Sequence, residues 1–325
     1  MTSTCGIAGF AESLPEDIAA FLAFKRARGY KYHRAQFTLA NLERFVAEEV
    51  VVRPGGGTEE AIQSWLARSG DRKPASVAAE LTVIRQFCLF RRRRDPDGFA
   101  PHCKGMPRCP GSHFVPHVYT GEEVRTLVAM AQTVRCGKVR PSVVRMLLVI
   151  LYCTGLRFGE ALRLRLCDVD LPASRFFIAE SKGRSRFVPF GEDLARELDQ
   201  FASEREEWAS AAPGSPFLAR EDGSAWPVNR ASDTVRDLLR RAGMKPRHGR
   251  SGPRPYDFRH TYAVRRLEEW YRDGVDISAA LPLLSAYMGH YDLMGTERYL
   301  HTTPILLAIA GDRFRTLFET SGSKS

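Results

Sequence analysis

The chain has 325 residues, enough for two domains that each bury a hydrophobic core. Its formal charge of +10 and pI near 9.4 favour a polyanionic partner, nucleic acid before membrane. The longest apolar run, Met146 to Cys153, is too short to span a bilayer, which argues against a membrane-embedded function.

The first residues, MTSTCGIAGFAESLPED, carry no basic n-region and no long apolar stretch. No secretory signal is therefore expected, and the chain reads as cytoplasmic and nucleoid-associated. Seven cysteines without paired spacing fit reduced thiols. His102, Cys103, Cys109 and His113 match none of the usual zinc spacings, so no metal site is expected.

From Asp17 to Arg28 apolar and basic positions alternate with helical period, and Gly29 ends the run. A second helix is expected over Arg34 to Val50 with Phe37, Leu39, Leu42 and Phe45 inward. Pro54-Gly55-Gly56-Gly57 breaks the chain, and helices follow at Thr58 to Ser69 and Ala75 to Arg92. The last ends in four arginines, Arg91 to Arg94, which read either as a solvated helix end or as a phosphate contact. No strand pattern appears, so this half predicts a small domain of four or five helices.

Asp95 to His117 holds five prolines and several glycines and reads as a linker. Thr120 and Glu123 then have the capping-box spacing and open a new helix. A buried helix is expected from Pro141 to Cys153, running into Thr154-Gly155-Leu156-Arg157-Phe158-Gly159-Glu160. An arginine straight after so apolar a run calls for a partner, and Glu160, three residues on, can hold it. Arg175 to Glu180 and Ser185 to Phe190 flank Ser181-Lys182-Gly183-Arg184, a hairpin with Lys182 at its tip. Amphipathic helices follow at Glu192 to Glu206 and Asn229 to Ala242. Pro255-Tyr256-Asp257-Phe258-Arg259-His260-Thr261 opens another, on which Tyr256 and Arg259 are expected to face the same way. The run Ile277 to Met288 stops at Gly289, where a left-handed cap is cheap; His290 follows, and Tyr299 lies nine residues beyond.

Thr-Gly-Leu-Arg-x-x-Glu, a Lys-Gly hairpin, Arg-His-Thr, Met-Gly-His and Tyr-x-His occur in this order from Arg157 to His301. The set resembles the tyrosine recombinases, the phage integrase family. The resemblance implies a mainly helical chain with a small antiparallel β-sheet. Residues 1–111 would form a helical core-binding domain, 112–118 a linker, and 119–325 an α+β catalytic domain with an apolar tail helix near Thr303 to Phe318. It implies that Arg157 and Arg259 bind the non-bridging oxygens of a scissile phosphate and that His290 donates a hydrogen bond to it. Lys182 would protonate the departing 5′-oxygen, and Tyr299 would be the nucleophile. The family usually has histidine where this chain has Tyr256. A phenol still hydrogen-bonds a phosphate, but it does not become a cation near neutral pH.

The implied partner is double-stranded DNA, with the protein assembling on it as a homo-oligomer, a tetramer, alone or with sister recombinases or accessory proteins. No Walker-type loop or clustered acidic site is visible, so the expected chemistry needs no cofactor and no metal. Two other readings share the pattern: a type IB topoisomerase-like nicking-closing enzyme, and a non-catalytic DNA-binding protein on the same fold.

Overall fold

A computed structural model describes residues 7–53, 55–68, 73–102, 116–181, 184–249, 251–290 and 294–297. The chain divides into two compact units, Met1–His113 and Phe114–Ser325.

The first unit contains α1 (Ile7–Arg26), α2 (His33–Val52), α3 (Thr58–Ala67) and α4 (Pro74–Arg91). Helix α1 begins ten residues before the expected start at Asp17. Ile7, Phe10 and Leu14 continue its buried stripe at three- and four-residue steps, and Pro15 is accommodated within it. Helix α2 departs from expectation at Phe37, which is 68% exposed. Ala35, Leu39, Leu42 and Val46 form the inward stripe, and two residues on a helix lie about 200° apart, so Phe37 cannot share the face of Leu39. Within the arginine run Arg91 Nε donates to Asp17 Oδ2 at 2.7 Å and Arg94 reaches Oδ1 at 3.4 Å, while Arg92, Arg93 and Arg94 are exposed at the helix end. Arg93 lies over the Phe24 ring at 4.5 Å.

The second unit opens with α5 (Gly121–Ala131), capped as the sequence predicts: Glu123 N donates to Thr120 Oγ1, and Thr120 N to Glu123 Oε2. At its centre runs α6 (Pro141–Thr154), whose Val143, Val144, Met146, Leu147, Leu148, Ile150 and Leu151 are all buried. There follow α7 (Phe158–Ala161), β1 (Val169–Asp170), β2 (Arg175–Ser181), β3 (Arg184–Pro189), α8 (Glu192–Glu206), α9 (Val228–Arg241), α10 (Asp257–Arg272), α11 (Ile277–Met288) and the short α12 (Met294–Glu297). The strands form one antiparallel sheet in the order β1-β2-β3. Phe176 stands opposite Val188, and Ile178 opposite Arg186, on the face turned to the core. The expected fold class, mainly helical with a small antiparallel sheet, is the one observed.

Helix α10 packs along α6, and α11 packs on α10 and β3. The joint between α10 and α11 is a small cluster of Ala263, Leu267, Leu281, Leu284 and Met288. No described helix is long and apolar enough to cross a membrane. The expected tail helix lies outside the described residues, as do Cys103, Cys109 and His113.

Candidate active site

The site is built where two helices end in left-handed glycines. Helix α6 stops at Gly155 (φ +60°) and α11 at Gly289 (φ +66°). Both glycines are also close approaches. A Cβ at Gly155 would lie 2.6 Å from the Tyr262 ring, and one at Gly289 2.8 Å from the Arg186 guanidinium.

A helix end leaves its last carbonyls without intrahelical donors and carries the negative end of the macrodipole. At the end of α11 three successive carbonyls each take a different arginine. Arg186 Nε donates to Tyr287 O at 2.8 Å, Arg259 Nη2 to Met288 O at 2.6 Å, and Arg157 Nη2 to Gly289 O. Arg259, 1% exposed, spends a further donor on Gly155 O at 2.9 Å, which ties the two helix ends together.

Glu160 is the carboxylate of this cluster and is buried. Arg157 immediately precedes α7, so its amide donates to Glu160 Oε2 at 2.9 Å and its Nη1 to Oε1 at 2.6 Å. Arg186 takes both oxygens from the other side, at 3.1 and 2.9 Å. Among the described residues, three guanidiniums set against one carboxylate leave a local excess of positive charge. Such a cluster suits an anion that presents several oxygens.

His290 follows the glycine stop, its amide donating to Ser285 O at 3.0 Å. Its ring lies between two groups: Arg259 Nη2 is 3.0 Å from Nε2, and Thr296 Oγ1 is 2.7 Å from Nδ1. His260, next to Arg259 in the chain, is buried, and its pKa is pushed down to about 4, first by burial and second by the Arg254 guanidinium.

Of the six residues expected to form the site, Arg157, Arg259 and His290 come together around the end of α11. Tyr256 stands just before α10 and is 51% exposed, whereas Arg259 is buried, so the expected common face is not a common environment. Lys182 and Tyr299 lie outside the described residues, as does Tyr291. Arg186 and Thr296 belong to the cluster without belonging to the motif set. Strand alternation gives a signal for Arg186: it shares a face with Val188, which is buried.

The profile of the phage integrase family matches residues 117–304, more than half of the chain. The chain belongs to the phage integrase family, the tyrosine recombinases. It is 30% identical over 308 residues to a Sinorhizobium fredii protein carried under the name integrase/recombinase y4rB, spanning 93% of this chain and 97% of that one. It is 26% identical over 243 residues to the tyrosine recombinase XerC of Staphylococcus saprophyticus, spanning 72% of this chain and 73% of the relative. Among solved structures of similar fold is the XerH site-specific recombinase bound to a palindromic difH substrate in a post-cleavage complex. It matches with a TM-score of 0.64 at 17% identity over 86% of this chain and 78% of that one. The Tn1549 transposon integrase in complex with circular intermediate DNA matches with a TM-score of 0.63 at 16% identity, over 92% and 99% of the two chains. The tyrosine recombinase match includes every position from Arg157 to His301 that carries the motif set.

Proposed function

We propose that the protein is a site-specific DNA recombinase of a mobile genetic element that cleaves and rejoins strands through a 3′-phosphotyrosyl intermediate. The observation that carries this reading is the cationic cluster at the end of α11, where Arg157 and Arg259 sit beside His290. A phosphodiester attacked in line gains negative charge on its non-bridging oxygens. Two permanently charged guanidiniums, already held in place, offset that charge without reorganising during the reaction.

In the proposed roles Arg157 and Arg259 hold the non-bridging oxygens and His290 donates to one of them. Tyr299, its phenol proton lost to solvent, attacks phosphorus as the phenolate, the bond from phosphorus to the 5′-oxygen breaks, and Lys182 supplies the proton that this oxygen takes up. In rejoining, the 5′-hydroxyl of another strand attacks the phosphotyrosyl ester, gives up its proton to Lys182 and releases the Tyr299 phenolate. The two ester linkages are close in energy, so no nucleotide is consumed. Tyr256, exposed at the start of α10, takes the place of the usual histidine as a hydrogen-bond donor to the phosphate. Residues 1–111 are assigned to phosphate and base contacts flanking the cleaved site, and 119–325 to catalysis. A tetramer on double-stranded DNA is the proposed working assembly.

A nicked suicide substrate carrying the element's end sequence tests the reading. Wild type forms a denaturation-resistant protein–DNA adduct, and Tyr299→Phe binds the same DNA without forming one. An adduct from that variant would place the nucleophile elsewhere, with Tyr291 the nearest in sequence. Normal wild-type binding without any adduct favours a non-catalytic DNA-binding protein. Relaxation of unrelated supercoiled plasmids without recombinant product favours a nicking-closing enzyme.

A further inference from the structure

The ring of His290 is held from both sides, and the two contacts differ in kind. A guanidinium has donors and no acceptor. Arg259 Nη2, 3.0 Å from Nε2, therefore faces the lone pair of that nitrogen. A neutral imidazole with its lone pair on Nε2 carries its hydrogen on Nδ1, and Nδ1 lies 2.7 Å from Thr296 Oγ1. Thr296 is fully buried in α12, three residues ahead of Tyr299 in the chain, so water does not compete for its hydroxyl.

We propose that Thr296 is a positioning residue that fixes His290 in the Nδ1–H tautomer. The hydroxyl oxygen accepts from Nδ1–H and leaves Nε2 as the nitrogen turned to the arginine pocket. In this state Nε2 has nothing to donate to a phosphate oxygen. It gains a donor when a proton arrives on Nε2 and the ring becomes an imidazolium, and the Thr296 contact survives unchanged because Nδ1–H is common to both forms. An anion that draws the Arg259 donor onto itself and favours the second ring proton would thus convert His290 from an acceptor into a donor without moving the ring. The opposite neutral tautomer, with Nε2–H, would set two donors against each other at Arg259.

The step from tautomer to rate rests on the recombinase reading; the tautomer itself does not. The full chain, labelled with 15N in its histidine rings and free of DNA, reports the tautomer through long-range proton–nitrogen correlations, with His290 assigned by its loss in His290→Gln. Wild type and Thr296→Ser should both show Nδ1–H. Thr296→Val, which keeps the shape and removes the hydroxyl, should lower the Nδ1–H population of His290, leaving the Arg259 contact alone to oppose Nε2–H. On the suicide substrate at saturating DNA, Thr296→Val should slow adduct formation on the order of tenfold to a hundredfold, while Thr296→Ser stays near wild type. An Nε2–H signal in wild type, or an unchanged tautomer in Thr296→Val, overturns the proposal. Absence of any adduct from wild type would instead overturn the recombinase reading and leave the spectroscopic result standing.

Discussion

Glu160 and Arg186 meet as a two-point pair, with Nη1 on Oε1 at 3.1 Å and Nη2 on Oε2 at 2.9 Å, between side chains that are 1% and 11% exposed. The same carboxylate also holds Arg157, so one anion serves two cations, one just ahead of α7 and one on β3. Losing the carboxylate takes the counter-charge from both guanidiniums, whereas losing Arg186 leaves Glu160 still paired. Glu160→Gln should therefore destabilise the protein by about 3–5 kcal/mol. Arg186→Met should cost less, about 1–3 kcal/mol, chiefly through the Tyr287 carbonyl it leaves without its donor. Urea unfolding of the two variants checks the order, and the reverse order would sink this account of the cluster's charges.

Gly155 and Gly289 combine positive φ with close neighbours, so alanine pays twice at each. The left-handed backbone costs about 1–2 kcal/mol, and the added methyl meets Tyr262 at 2.6 Å or Arg186 at 2.8 Å. Gly155→Ala and Gly289→Ala should both lower the unfolding midpoint. Combining Gly155→Ala with Tyr262→Ala should recover part of the loss, with a coupling above about 0.5 kcal/mol in a double-mutant cycle. Simple additivity would mean that the ring is not the obstacle.

His260 gives the fold an acid-sensitive limb. Its pKa sits at about 4 in the folded chain against an ordinary 6.5, so between those values the unfolded chain binds more protons. Stability contributed by the neutral ring is complete above pH 6.5 and is lost as pH falls towards 4. The loss should amount to roughly 3 kcal/mol of unfolding free energy. Denaturation at a series of pH values should show it, and His260→Asn should flatten the slope in that window whatever its effect at neutral pH.

Tyr256 is half exposed and stands outside the regular part of α10, so its replacement disturbs little packing. Tyr256→His should change stability by less than about 0.5 kcal/mol. It should also retain strand cleavage on the suicide substrate. Complete loss of cleavage with normal DNA binding would show that the phenol has a task that imidazole cannot perform.

Much of this architecture was legible in the residues themselves, and the exceptions have physical causes. The Thr120–Glu123 cap, the antiparallel pairing of β2 with β3 and the glycine stop at Gly289 are local signals, and local chemistry decides them. The apolar–basic alternation starts only at Asp17, whereas α1 begins at Ile7 and carries Pro15 within its span. Phe37 looked like core because it is aromatic, but helical geometry turns it away from Leu39 and Leu42. The two-residue β1 is too short for alternation to show. Arg186 and Thr296 carry no such signal for their partners: Tyr287 lies 101 residues from Arg186 and His290 six from Thr296, and spacing alone does not bring either pair together. Arg205 is a further case, fully buried with its donors on the carbonyls of Ser210, Pro216 and Phe217.

Tyr119 donates its amide to Thr261 Oγ1 at 2.9 Å and its hydroxyl to Arg254 O at 3.1 Å, and its ring stacks on Phe258 at 4.3 Å. The segment that leads into α5 is thereby pinned to the first turn of the helix that carries Arg259. A version trimmed beyond Tyr119 would lose two hydrogen bonds and a stacked ring at the end of α10 where Arg259 stands.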